Sequence, residues 1–384
     1  MFVLTSPWLL CASIGLWLAA IIGCVWLWPR MASSGIARLT GRTGIILIIN
    51  LLLLVATFLA MNDKFGFYDS WTDLGSDLRA GAGLSAGTNP PNITVGADAA
   101  TVLRMRLAPM PALTPANTPT ARELPTGDRQ DGADTYQVSG PSSGLTDEVI
   151  VVLPPDYSAG TRTYPVIYGL HGVPGTPASM LEALQLPETV NSEVAAGKLN
   201  EAVEVFPNTA GPNGADIECA DTNATKMETF LAVDLPAWIR SRFRVSGDRS
   251  GWATLGVSEG GFCASMLAMR HPNQFGTAIS FAGYFRGGWG SAKAPDGVIP
   301  ADYNLVRLAH SSDAPPVALW VMTTRTELLN NRSVTQFLTK IDPPLSVREV
   351  VLRAGGHRFS IWQRLSGPAL EWLASVATPF GPVR

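Results

Sequence analysis

The sequence predicts an α/β protein, with a mostly parallel, doubly wound sheet and two transmembrane helices before it. Three observations carry that expectation. From about Asp134, short aliphatic and β-branched runs alternate with stretches of helical periodicity, the pattern of strands joined by crossover helices. Within that alternation, Gly256-Val-Ser-Glu-Gly-Gly261 stands where the apolar run Trp252–Val257 gives way to a helix-like stretch, Phe262–Arg270. Ahead of it all lie two uncharged or nearly uncharged apolar runs of membrane-spanning length, about 8–28 and 43–61.

The chain has 384 residues and a formal net charge of −3. That length suits one large α/β domain with appendages. The negative balance and the lack of any basic cluster argue against nucleic acid as a partner. Arg30, Arg38 and Arg42 lie between the two apolar runs, with no acid among them. The positive-inside bias then places this short loop in the cytoplasm and both ends of the chain outside. A cleavable signal peptide is the rival reading of the first run, but no basic segment precedes it and a second span follows. The expected organisation is a membrane anchor at 1–61, a juxtamembrane and Ala/Gly/Pro-rich linker at 62–133, and an α/β domain at 134–384.

Taken in order, the linker holds one expected strand at Thr101–Leu107. Strands then follow at Asp147–Leu153, Pro165–Leu170 and Ala202–Phe206, with a helix near Ser179–Leu186. Lys226–Phe243 carries Met227, Phe230, Leu231, Leu235, Trp238 and Ile239 at helical spacing. Strands recur at Ala278–Ala282, Val317–Met322 and Val347–Leu352, and a last helix is expected at about Pro368–Ala377.

The chemistry-bearing residues fall where such a sheet collects them, after the carboxyl ends of its strands. A strand turning sharply into a helix is the setting in which G-x-S-x-G exposes a nucleophilic serine, so Ser258 is the candidate nucleophile. The chain has four histidines. His357, in Gly355-Gly-His-Arg-Phe-Ser360 after a late strand, is the candidate base. Glu327 follows the strand Val317–Met322 and is the candidate acid, better placed than Asp313 or Asp342. Backbone N–H groups of Glu259 and of Val173, in His171-Gly-Val-Pro-Gly175, are candidates for an oxyanion hole. The polar loop Asn208–Thr225, with Asp216 and Glu218, is read as a roof contacting a polar head group, with an ordinary solvated loop as the competing reading. Its acids lack the spacing of a recognised cation loop, and no metal is expected. Phe285 and Trp289 are read as lining for an acyl chain, with ordinary aromatic packing as the competing reading. Cys219 on that roof and Cys263 on the nucleophile helix are expected to form a disulfide on the oxidising side of a membrane.

The segment from about Leu153 to Leu373 resembles the esterase family that includes esterase D and the antigen 85 mycolyltransferases. The matching pieces are Leu153-Pro-Pro-Asp-Tyr157, His171-Gly-Val-Pro-Gly175, Gly256-Val-Ser-Glu-Gly-Gly261, Arg270-His-Pro272 and Gly355-Gly-His357 with Trp362 behind it. The resemblance implies an α/β-hydrolase fold and a Ser258–Glu327–His357 triad working on acyl esters without a cofactor. His171 stands where antigen 85 proteins have aspartate, and their trehalose-binding sequence has no equivalent here. The expectation is a multi-pass cell-membrane protein with its catalytic domain outside, acting as a serine esterase or acyltransferase on an acyl ester or lipid. Mycolyltransferase-like transfer to a sugar or lipid hydroxyl is one alternative, and a non-catalytic envelope binding protein on the same fold is another.

Overall fold

The computed structural model describes residues 4, 6–31, 36–68, 70–80, 92–110, 112–114, 118–124, 132–288, 303–325, 332–352 and 355–382. The chain divides into two compact units, Met1–Asn89 with Ala354–Arg358 and Pro90–Arg353 with Phe359–Arg384.

The larger unit is built on one sheet. Its strands are β1 (Asn92–Gly96), β2 (Thr120–Glu123), β3 (Ala133–Ser139), β4 (Thr146–Val152), β5 (Val166–Leu170), β6 (Val203–Pro207), β7 (Trp252–Val257), β8 (Thr277–Phe281), β9 (Ala318–Thr324) and β10 (Ser346–Leu352). They lie in the order β1-β10-β9-β8-β7-β5-β6-β4-β3-β2. The six strands from β10 to β6 run parallel. The outer pairings, of β1 with β10 and through β4, β3 and β2, are antiparallel. The sheet is therefore mixed rather than mostly parallel, with a parallel centre.

The central strands are buried along their length because helices cover both faces of the sheet. Along β9, Leu319 and Val321 enter one core, while Ala318, Trp320 and Met322 enter the other. The helix Glu259–Arg270 supplies Phe262, Met266 and Leu267 to the first. The last helix, Phe359–Val376, supplies Ile361, Trp362, Leu370 and Leu373 to the second. That helix starts a whole segment before the expected Pro368. Proline reads as a first-turn residue, and here it sits mid-helix, where burial of Ile361, Trp362 and Leu365 outweighs the lost hydrogen bond.

A further expectation changes. The segment expected as a linker contributes β1 and a helix, Ala99–Leu103, in place of the strand at Thr101–Leu107. Asp98 decides this locally, since its Oδ1 accepts from the Thr101 N–H at 2.8 Å and caps the helix. The helix buries Val102 and Leu103. The helical stretch before β7 runs from Met227 to Arg242 with a wider π turn at Phe230–Asp234. Pro236, which lacks a backbone N–H, lies just beyond that turn.

One buried acid in this unit sets a pH dependence. Glu204, on β6, is buried with no partner for its Oε2, and burial, reinforced by Glu188, pushes its carboxyl up to about 8. The unfolded chain releases that proton near 4.5. Stability therefore falls as pH rises through this window and levels off above it, by about 1.4 kcal/mol per pH unit. Replacing Glu204 with leucine is expected to raise the melting temperature at pH 7 and flatten its slope between pH 5 and pH 8. An unchanged slope would show that Glu204 is not the group titrating.

The smaller unit holds two long helices, Pro7–Leu27 and Ile36–Phe65. Both are long and apolar enough to cross a membrane. Trp8, Leu16, Ile22, Val25, Leu47, Leu51 and Leu54 lie on their exposed surfaces. The second begins earlier than the expected span and takes in Arg42. After it come a short polar turn and a third helix, Trp71–Ala80.

Candidate active site

Ser258 follows the carboxyl end of β7, in the middle of the sheet, and leads into the helix Glu259–Arg270. Its backbone is forced into φ 57°, ψ −122°, a strained conformation for a residue with a side chain. The strain is held from several sides. The Ser258 N–H donates to the Phe281 carbonyl at 2.8 Å, and the Ser258 carbonyl accepts from Gly261 and Phe262. The glycines of the motif are there for contact. A methyl on Gly256 would lie 2.0 Å from the Gly260 carbonyl oxygen, and one on Gly260 would lie 2.1 Å from that of Leu170. The serine is thus wedged between β7 and the end of β5, at the amide-rich start of a helix that favours developing negative charge.

The turn after β5 lies against this serine. A methyl on Gly172 would come within 2.9 Å of Ser258 Cβ and 3.5 Å of its Oγ. Val173, the second expected oxyanion donor, is the next residue. His171 holds the turn from beneath and is fully buried. Its Nε2 accepts from the Thr209 N–H at 3.1 Å, which leaves the proton on Nδ1 to be donated to the Gly172 carbonyl at 2.9 Å. Burial keeps this imidazole below its ordinary value, so it stays neutral. Asn208, beside it, donates through Nδ2 to Asp147. The sequence singled out His171 as a departure from the antigen 85 pattern; the structure makes it a strut under the turn that carries Val173.

Glu259 carries the other expected oxyanion donor, and its side chain is buried. Burial first, then neighbouring Asp216, raise its carboxyl well above the ordinary range. As two carboxylates these groups would have nothing to donate to one another. Burial beside a second acid thus favours the protonated form of Glu259. The residue after the nucleophile is therefore uncharged.

The acidic loop is not the solvated roof the sequence suggested. Ile217, Glu218, Cys219 and Ala220 are buried, and three of them belong to the core. Glu218 is already occupied, accepting from Tyr284 Oη at 2.8 Å and from the Gly288 N–H. Its expected role in binding a substrate head group is corrected on that ground. Phe285 is corrected too: its ring is fully buried and stacked on Phe337 at 3.8 Å between centroids. Core packing, the competing reading, explains it. Trp289 and Glu327 lie outside the described residues.

Cys219 and Cys263 are joined by a disulfide, with Cα atoms 5.8 Å apart. The bond ties the acidic loop to the nucleophile helix. Converting both cysteines to alanine is expected to cost about 2–4 kcal/mol, read as a lower melting temperature. An unchanged melting temperature would remove the bond from the account of stability.

His357 belongs to the smaller unit, where its N–H donates to the Gly66 carbonyl at 2.8 Å. Its neighbours there, Asp73 and Arg358, form a buried ion pair that sequence reasoning missed. The only available signal was an arginine directly after the histidine.

Residues 143–374 match the model of a family described as "Putative esterase". The chain belongs to this esterase family. Among its relatives is a protein of Corynebacterium glutamicum, 23% identical over 270 residues, covering 64% of this chain and 63% of that protein. Another is an esterase of Mycobacterium tuberculosis, 31% identical over 152 residues, covering 38% of this chain and 31% of its own length. The chain thus spans less than two thirds of the length of either. The solved structure of a ferulic acid esterase superposes with a TM-score of 0.54 at 21% identity, covering 67% of this chain and 99% of that one. That likeness shows the α/β-hydrolase fold.

Proposed function

We propose that this chain is a membrane-anchored carboxylic ester hydrolase working through Ser258, His357 and Glu327. The observation that carries the reading is the strained Ser258 elbow at the carboxyl end of β7, packed against Gly172 in the turn after β5. In the mechanism Ser258 Oγ attacks the acyl carbonyl while His357 takes its proton. Glu327 orients the imidazole and supports its positive charge. The N–H groups of Glu259 and Val173 receive the oxyanion, and the helix start adds to that field. Because the Glu259 side chain is neutral, it does not repel the charge forming beside it. The leaving alcohol takes the proton from the imidazolium, and an acyl-serine remains. Water, deprotonated by the same histidine, then releases the acid. A sugar or lipid hydroxyl entering at that second step would make the same site a transferase.

The two apolar helices serve as spans, with Arg30, Arg38 and Arg42 between them on the cytoplasmic side and the esterase unit outside. The disulfide fits an oxidising compartment. Two measurements test the proposal. A fluorophosphonate probe is expected to label the protein, whereas a binding protein on the same fold would remain unlabelled. Reporter fusions after Gly35 are expected to read cytoplasmic and those after Gly132 external; the reverse pattern would overturn the topology.

A further inference from the structure

We propose that the polar turn following the second apolar helix is a positioning element of the catalytic site, holding the His357 loop. This rests on the assignment of His357 as the base. The anchor is then more than a tether, because the loop that bears the base is fastened to it.

The attachments occupy three consecutive residues. A methyl on Gly356 would lie 1.8 Å from the Phe67 carbonyl oxygen, so the two backbones touch there and only glycine fits. His357 donates its N–H to the Gly66 carbonyl at 2.8 Å. Arg358 grips Asp73 with both ends of its guanidinium, Nη1 to Oδ2 and Nη2 to Oδ1, each at 2.8 Å. The same Nη1 also donates to the Phe67 carbonyl at 2.8 Å, and the guanidinium lies 4.6 Å over the Tyr68 ring. Such a two-point grip fixes direction as well as distance.

The other side of the grip is itself tied together by hydrogen bonds. Asn62, in the last turns of the helix Ile36–Phe65, is fully buried. Its Oδ1 accepts from the Tyr68 N–H at 2.8 Å and its Nδ2 donates to the Tyr68 carbonyl at 3.0 Å. Gly66 ends the helix with φ +66°, its N–H donating to the Asn62 carbonyl. Asp73 lies in the first turn of the helix Trp71–Ala80. Asn62, Gly66, Phe67, Tyr68 and Asp73 thus form a clasp, hydrogen-bonded among themselves and to the histidine loop. Arg358 and Asp73 are both buried, so removing either carboxylate or guanidinium strands a charge. A passive spacer between membrane and enzyme needs none of these contacts.

The test uses the full chain in detergent micelles, with a short acyl ester as substrate and a fluorophosphonate probe to count active sites. Asp73→Asn keeps the shape and removes the charge. It is expected to lower kcat per labelled site by about 100-fold with KM little changed, because a small displacement of a catalytic group has that effect. Asp73→Glu, which keeps the charge, is expected to recover part of it. Simple destabilisation would instead reduce the number of labelled sites and leave kcat per site alone; that outcome overturns the inference, as does a wild-type kcat. Where Asp73→Asn fails to fold, Arg358→Lys serves, keeping one charge but not the fork. The same split is expected, and a wild-type kcat overturns the proposal. His357→Ala is run beside them. If it retains turnover, the base assignment falls and this inference with it. If it is inactive while Asp73→Asn is normal, only the clasp falls.

Discussion

Ser258→Ala is expected to abolish hydrolysis of a short acyl ester, by about 10⁴-fold or more, and to abolish fluorophosphonate labelling. The protein should remain folded. Among the described residues the hydroxyl makes no hydrogen bond on which the elbow depends; the turn is held by the Ser258 N–H on Phe281 and by its carbonyl on Gly261 and Phe262. The left-handed φ remains a strain that alanine bears as serine does. The disulfide gives a check on folding, since Cys219 and Cys263 pair only when the acidic loop lies on the nucleophile helix. Loss of activity with an intact disulfide and melting temperature separates chemistry from structure. Full hydrolysis by a clean Ser258→Ala preparation would remove the nucleophile from the mechanism.

The elbow was legible because its signal is local and steric. Gly256, Ser258 and Gly260 sit between a β-branched run and a helix, and each glycine answers a contact that no side chain survives. The buried central strands were legible from their largely apolar composition, as β7 and β8 are buried along their whole length. The outer strands were not. Four residues of β2 are all exposed, and that strand exists only because β3 pairs with it. Pairing of that kind leaves little trace in composition. Charge misled most. Glu218 and Asp216 read as solvated loop acids, yet one is held by Tyr284 and Gly288 and the other neighbours the buried carboxyl of Glu259. Those partners lie between 43 and 70 residues away along the chain, beyond any periodicity. The ion pair of Arg358 with Asp73, 285 residues apart, was hidden for the same reason.

Glu327→Gln is expected to lower kcat by about 10³–10⁴-fold with KM little changed, since the amide keeps the size of the acid and loses the charge that supports the imidazolium. The assignment gains from where its rivals fall. β9 and β10 run parallel to β7, so the amino ends of all three share the edge of the sheet away from Ser258. Asp313 is exposed in the turn before β9, and Asp342 lies just before β10, paired with Lys340 at 2.8 Å. Both belong to that far edge. Glu327 instead follows the carboxyl end of β9 in the chain, the edge at which β7 delivers the nucleophile. The acid acts through the histidine, so its loss should slow fluorophosphonate labelling in step with turnover while leaving the labelled fraction complete at long times. Near-normal turnover in Glu327→Gln would transfer the role to another acid, and parallel assays of Asp313→Asn and Asp342→Asn, both expected to be fully active, would show whether either carries it.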